Sequence, residues 1–201
     1  MDVAIIDYGL GNVESLQKAL KHIGKSCIIT KDKNQIYKSD HIFLPGVGSF
    51  AAGMDNLRAN NLIEVLHQEV IERKKPFFGI CLGMQLLAQK GQEGGEVDGL
   101  GWIEAEVVRI NPIDLKVPHM GWNNIIECKS ILTPFENKDF YFVHSFHMKT
   151  KDNNTTVSKV EYGASLTSAI MRDNIFATQF HPEKSQNVGL GLLESFFQFY
   201  D

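Results

Sequence analysis

Cysteine is scarce in this chain: Cys27, Cys81 and Cys128 are the three present, and no two form a C-x-x-C pair. An odd, unpaired set excludes a disulfide framework and a thiolate zinc site as the organising feature, and it suits a reducing compartment. Basic blocks are also missing, the longest being Arg73-Lys74-Lys75, and the formal net charge is −4, which argues against nucleic acid as a partner. No long apolar run is present, and the opening Asp2-Val3-Ala4-Ile5-Ile6-Asp7 is a short strand pattern without a basic leader, so neither a membrane segment nor a secretory signal is expected and the cytoplasm is the expected location. Among seven histidines no H-x-x-x-H or H-E-x-x-H spacing occurs, so no metal is expected. Gly9-Leu10-Gly11 lacks the third glycine of a dinucleotide fingerprint, Glu14 standing in its place, so no cofactor is expected either. With 201 residues, no repeat and no long linker, a single domain over 1–201 is predicted.

What is present centres on Pro76-Phe77-Phe78-Gly79-Ile80-Cys81-Leu82-Gly83-Met84-Gln85-Leu86-Leu87. An apolar run meets a small-residue turn, and a helical pattern through Met84, Leu86, Leu87 and Ala88 follows: strand, elbow, helix. The stretch matches the G-x-S-x-G nucleophile elbow with cysteine for serine, in which the two glycines remove side chains that would clash in so sharp a turn. Cys81 at a helix N-terminus would favour thiolate, and the Leu82 amide would point to where an oxyanion forms. An isolated cysteine is more often a buried structural thiol. The flanking glycines and elements shift the balance toward chemistry, but a base is still required.

Through the first half, Val3 to Ile6, Cys27 to Thr30 and His41 to Leu44 read as strands, and Val13, Leu16, Leu20 and Ile23 mark a helix with Asn12 as its N-cap. Alternation of strand and helix predicts an α/β fold: a central mixed, mostly parallel sheet with helices on both faces. Ligands bind such sheets beyond the carboxyl ends of the strands, where Pro45-Gly46-Val47-Gly48 and the Cys81 elbow both fall. The first of these is a connector before one long helix over about 51–72 or, beside a cysteine elbow, a second oxyanion donor. Five glycines from Gly91 to Gly101 read as a flexible surface loop. Beyond it, short strands over 102–110, 123–127, 140–146, 157–161 and 175–180 predict a smaller antiparallel addition, and a helix over 188–200 closes the chain.

Near the end stands Gln179-Phe180-His181-Pro182-Glu183. Proline pushes the preceding residue into extended conformation, so His181 continues the strand and Glu183, two residues on, faces the same way to orient the ring. Cysteine, base and carboxylate thus occur in the order of a Cys-His-Glu triad.

Together, the Gly79-to-Gln85 elbow and Gln179-to-Glu183 resemble the class I, triad-type glutamine amidotransferases. Pro45-Gly46-Val47-Gly48, Pro118-His119-Met120-Gly121-Trp122-Asn123 and Tyr141-Phe142-Val143-His144-Ser145-Phe146 look like the glutaminase subunits of imidazole glycerol phosphate synthases. The resemblance implies Cys81 as nucleophile, His181 as base and later acid, and Glu183 as its orienter. It implies an oxyanion hole of Val47, Gly48 and the Leu82 amide, and a glutamine site of Gly48, Gln85, Ser145 and Phe146. Many members have tyrosine where this chain has Phe146, a departure that matters little if only backbone binds. The implied products are glutamate and ammonia, and the implied partner is a (β/α)8 cyclase in a heterodimer of histidine biosynthesis, contacted at Asn12, Trp122, Asn123 and Tyr141. Aromatics on strands are more often core, so the interface role of Trp122 and Tyr141 stays open here. Also open are a paralogous subunit that feeds ammonia to nucleotide-sugar amidation and a non-catalytic regulatory module.

Overall fold

Val3, Ala4, Ile5 and Ile6 are all fully buried, which a strand achieves only when both faces of its sheet are covered. The computed structural model describes residues 2–200. Its first half runs β1 (Asp2–Ile6), α1 (Val13–His22), β2 (Ser26–Thr30), α2 (Lys33–Lys38), β3 (His41–Gly46), α3 (Phe50–Ala59), α4 (Leu62–His67), β4 (Phe77–Cys81) and α5 (Leu82–Gln85). Its second half runs β5 (Ala88–Gly91), β6 (Val97–Asp98), β7 (Ile103–Arg109), β8 (His119–Asn124), β9 (Asp139–His144), β10 (Phe146–Thr150), β11 (Thr156–Glu161), β12 (Ser165–Arg172), β13 (Ile175–Thr178) and α6 (Gln186–Tyr200).

The seven-stranded sheet has the order β11-β12-β13-β4-β3-β1-β2; its strands from β13 to β2 are parallel, and β12 and β11 extend it antiparallel. Alternate residues serve opposite faces. Ala4, Ile6, Ile42, Leu44 and Phe77 pack with Phe50, Met54 and Leu57 of α3 and Leu66 of α4. Val3, Ile5, Phe43, Phe78 and Ile80 pack with Leu16 and Leu20 of α1 and Leu192 and Phe196 of α6. The Phe196 ring lies 5.3 Å from Phe43 and 5.0 Å from Phe78, so α6 is held to the sheet by large aromatic contacts. A four-stranded sheet, β10-β7-β5-β6, joins the α3 side through Val107 and Met148, and the two-stranded β8-β9 ribbon joins the α6 side through Phe140 and Phe142. Register places the ends of three neighbouring strands together: Gly46 of β3 opposes Cys81 of β4, and Ile80 opposes Thr178 of β13.

Several expectations are corrected. The single helix over 51–72 is broken. Asn60 folds its side-chain amide back onto the Asn56 carbonyl at 2.9 Å, Asn61 turns left-handed at φ 54°, and after α4 the backbone widens to a π-helical turn, Gln68–Glu72. Apolar spacing continued through the break, whereas asparagine is among the few residues that accept that left-handed turn. The helix after the elbow lasts only Leu82–Gln85, and Ala88 is already in β5. The glycine-rich 90–101 segment is a packed hairpin: a Cβ on Gly91 would meet the Phe50 ring at 2.4 Å, and one on Gly99 the Ala88 carbonyl at 2.2 Å. Those glycines serve close approach, not flexibility. The strand expected over 123–127 is displaced to β8, where each residue from His119 to Asn124 pairs with β9. Helix α2, capped by Asp32 on the Gln35 N–H at 3.0 Å, and strand β12 were not anticipated. Asn12 occupies the N-cap position of α1 but makes no side-chain capping bond. His181 is extended but lies outside β13, and Glu183 sits in a 3-10 turn, Pro182–Lys184, so a turn brings carboxylate to ring where strand alternation was expected.

Candidate active site

Cys81 ends β4 with φ 54° and ψ −108°, a conformation that a non-glycine residue adopts only when its surroundings enforce it. The enforcing contacts are backbone on backbone. A Cβ on Gly83 would stand 1.8 Å from the Leu44 carbonyl oxygen, and one on Gly79 would stand 2.8 Å from the Gly83 carbonyl oxygen. Both glycines are therefore needed for β3, β4 and α5 to meet at this turn. Leu82 is the first residue of α5, so its N–H has no intrahelical acceptor.

Behind the cysteine, His181 is 1% exposed and its Nδ1 lies 2.8 Å from the Glu183 carboxylate, itself buried. The backbone holds the ring in place. His181 N–H donates to the Tyr141 carbonyl at 2.9 Å, Ser185 Oγ donates to the His181 carbonyl at 2.6 Å, and Tyr141 N–H donates to Ser185 Oγ at 3.0 Å. Among the described residues, His181 Nε2 is buried without an oxygen or nitrogen partner. Burial alone would lower its pKa; the Cys81 sulfur, by charge and hydrogen bonding, and Glu183 outweigh this and hold it well above the ordinary imidazole value. Such a ring keeps its proton at neutral pH beside a sulfur that gains from it. The sulfur has two further neighbours, the Gln179 Nε2 at 3.7 Å and the Val143 carbonyl at 3.9 Å.

In front of Cys81 opens a cleft of about 380 Å³, lined by Val47, Gly48, Leu82, Gln85, Ser145 and Phe146 among others. Every residue expected in the oxyanion hole or glutamine site is thus brought to one cavity with the cysteine. Gly48 has φ 101°, the left-handed region that glycine enters without cost. Gln85 Nε2 donates to the Phe146 carbonyl and to Gln179 Oε1, each at 2.9 Å, so this amide also braces the wall of the cleft. Glu93 lines the cleft as well, its carboxylate accepting from the Phe50 N–H at 3.3 Å, and burial raises its pKa. Glu93 stands among the glycines whose pattern suggests a flexible surface loop, and no motif marks it. Gln179, inside the Gln-Phe-His-Pro-Glu stretch, was legible in principle: it is fully buried, and its amide joins Gln85 to the sulfur.

The residues expected at a partner interface do not line this cleft. Trp122 is 49% exposed and meets the half-buried Tyr141 edge-on at 6.2 Å, so neither is a core aromatic. Asn123 is half-buried and donates to the Glu161 carbonyl at 3.0 Å. Asn12 is half-buried in the loop before α1, where a Cβ on Gly11 would lie 3.1 Å from the Pro45 carbonyl; that loop therefore packs on the Pro45–Gly48 turn. Two further histidines fill the wall between strand face and cleft: burial holds His119 down at about 4 and His144 at about 3, so both are neutral at pH 7.

Sulfur, imidazole and carboxylate in this order, with an unpaired amide and a glycine turn at one cavity, can carry out acyl transfer through a thioester. Comparison with known proteins gives the same direction. The family model for class-I glutamine amidotransferases matches residues 4–198. Imidazole glycerol phosphate synthase subunit HisH 1 from Campylobacter jejuni is 48% identical over 98% of this chain and 99% of its own length. The subunit HisH from Aquifex aeolicus is 44% identical over 98% and 96% respectively. Among solved structures, a glutamine amidotransferase superposes with a TM-score of 0.77 at 18% identity, covering 98% of this chain and 97% of the other. Another from Thermotoga maritima gives 0.69 at 17%, covering 98% and 96%; at such identities the likeness concerns the fold. With a family model spanning nearly the whole chain and relatives near half identity end to end, this chain belongs to the class-I glutamine amidotransferases, within the HisH subunits of imidazole glycerol phosphate synthase.

Proposed function

We propose that this chain is the glutaminase subunit of an imidazole glycerol phosphate synthase of histidine biosynthesis, with Cys81, His181 and Glu183 as its triad, and that its ammonia passes to a (β/α)8 cyclase subunit. The observation that carries the site assignment is the strained Cys81 backbone beside the buried His181–Glu183 pair, opening on one cleft. The pathway assignment is supported by the HisH relatives, whose names make each a subunit of that synthase.

In this mechanism the Cys81 sulfur attacks the side-chain amide carbon of glutamine, forming the C–S bond and pushing the carbonyl electrons onto oxygen. The Leu82 amide and a Val47 or Gly48 amide stabilise that oxyanion. As the tetrahedral species collapses, the C–N bond breaks and His181 delivers its proton to the departing nitrogen, releasing ammonia. Water, deprotonated by the now neutral His181, attacks the thioester; the C–S bond breaks and glutamate leaves. Glu183 keeps the ring oriented and favours its charged form. Glu93 supplies a carboxylate for the α-ammonium of glutamine, while Gln85, Ser145 and Phe146 shape the cavity around its α-carbon end.

Ammonia is protonated in bulk water and then no longer nucleophilic, so its release is useful only next to an acceptor site. The exposed Trp122, with Tyr141, Asn123 and Asn12, is assigned to the surface that docks the cyclase. The test is glutamate formation from glutamine by the purified chain, alone and with a cyclase subunit from the same genome plus its ribonucleotide substrate. Glutamate formed mainly in the full mixture, and abolished by Cys81→Ala while ammonia-driven cyclase turnover persists, is the expected outcome. A chain silent with that cyclase but active with a barrel subunit for sugar amidation would overturn the pathway and leave the chemistry. Full activity of Cys81→Ala would overturn the triad.

A further inference from the structure

His119 and His144 stand directly opposite each other on β8 and β9, with His119 Nδ1 3.0 Å from His144 Nε2. The hydrogen bonds at either end decide which atom bears each proton. His144 Nδ1 lies 2.9 Å from the Phe146 carbonyl. A carbonyl only accepts, so that nitrogen is protonated and, in a neutral ring, Nε2 carries the lone pair. His119 Nδ1 must therefore donate to His144, which makes His119 Nε2 an acceptor. Asn123 Nδ2 lies 3.3 Å from that Nε2 and 3.0 Å from the Glu161 carbonyl, while Asn123 Oδ1 accepts from the Asn124 N–H at 2.9 Å. These contacts allow one amide orientation and one tautomer of each ring.

The chain is rigidly housed. The His119 ring is 3% exposed and stacked between Phe142 at 4.8 Å and Tyr162 at 4.0 Å. Its far end is the Phe146 carbonyl, which also accepts from Gln85, and the preceding Ser145 carbonyl accepts from the Ile110 N–H at 2.9 Å. Both carbonyls of the bend at the cleft wall are thus held by hydrogen bonds. Its near end, Asn123, is half-buried on the strand that also exposes Trp122 and Met120. Two facing apolar side chains would fill the same volume without desolvating four ring nitrogens, so packing alone does not account for this pair.

We propose that His119 and His144 are positioning residues: a one-way hydrogen-bond chain from the Asn123 amide through both imidazoles to the Phe146 carbonyl sets the Ser145–Phe146 bend for glutamine. The inference rests on the glutaminase reading. It also means that a group docking on β8 acts on the first donor of the chain, and so on the cleft wall.

Two measurements test it. Long-range 15N–1H correlation spectra of the full-length chain are expected to show both His119 and His144 as Nδ1–H tautomers, the minority form of free histidine. An Nε2–H tautomer at His144 would overturn the chain outright. In the complex with the cyclase subunit, His144→Leu is expected to raise the KM for glutamine about tenfold, as for loss of one buried hydrogen bond, with kcat changed less than about twofold. His144→Asn, which restores a donor near the Nδ1 position, should recover most of that loss. Unchanged KM in His144→Leu, or a fall in kcat alone, would refute the positioning role. If the wild-type complex forms no glutamate at all, the glutaminase reading fails and the positioning role falls with it, while the tautomers still report whether the hydrogen-bond chain exists.

Discussion

The two groups that raise the His181 pKa, the Cys81 sulfur and the Glu183 carboxylate, are side chains that substitution can remove, while burial works against both. The sign of the pH dependence follows from this. A raised pKa means the proton needed for the departing nitrogen is retained to higher pH, so the alkaline limb of kcat/KM for glutaminase turnover lies above the ordinary imidazole value of about 6.5. Glu183→Gln keeps a hydrogen-bond acceptor at the ring but removes the negative charge. That limb is therefore expected to move toward lower pH in the variant, with kcat/KM at pH 7.5 reduced by about 10²–10⁴-fold, since the negative charge that favours the imidazolium is lost. A pH–rate profile in the cyclase complex checks it. An unmoved alkaline limb would show that the carboxylate does not act on this ring.

At the scale of elements, the turn between β4 and α5 depends on glycine in a way that can be measured. A methyl group on Gly83 would penetrate the Leu44 carbonyl oxygen at 1.8 Å, and that oxygen belongs to the backbone of β3, which cannot turn aside as a side chain would. Gly83→Ala must push β3 and α5 apart in the middle of the core, at a cost of more than about 4 kcal/mol. For a chain of this size such a loss lowers Tm by about 10 °C or more, read by thermal denaturation, and unchanged Tm would mean that the turn has slack that its packing does not show. The same turn explains what was legible. Glycines at 79 and 83 around Cys81 declared the elbow, and buried Val, Ile and Phe runs declared the parallel strands, because each pattern has one local solution. The break at Asn60–Asn61 and the packed hairpin of the 88–101 segment were not legible: helical spacing runs straight through the first, and Gly91 and Gly99 of the second are explained by Phe50 and the Ala88 carbonyl, neither a sequence neighbour of the glycine it confronts. In the site, the order of the proposed triad could be read from the Cys81 elbow and the His181-Pro182-Glu183 motif. Glu93 and the His119–His144 pairing could not, since their roles arise only once β5–β6 and β8–β9 are folded.

At the scale of the whole molecule, the chain carries an exposed apolar surface that its own core does not use. Met120 is 61% exposed and Trp122 49%, on a strand whose neighbouring residues join the core or the hydrogen-bond chain to the cleft. Trp122 leans on Tyr141, whose carbonyl accepts from the His181 N–H, so one ring contact and one hydrogen bond link the proposed docking face to the proposed base. Tryptophan with half its surface free gives little to the isolated fold but is the kind of residue that anchors an interface once a partner covers it. Trp122→Ala is therefore expected to change the unfolding free energy of the lone chain by less than about 1 kcal/mol, and to weaken the cyclase complex by about 2 kcal/mol or more, roughly 30-fold in Kd. Denaturant unfolding and calorimetric titration with the cyclase subunit separate the two quantities. The opposite pattern, a destabilised chain that still binds its partner with full affinity, would place Trp122 in the fold's own support and move the docking surface elsewhere.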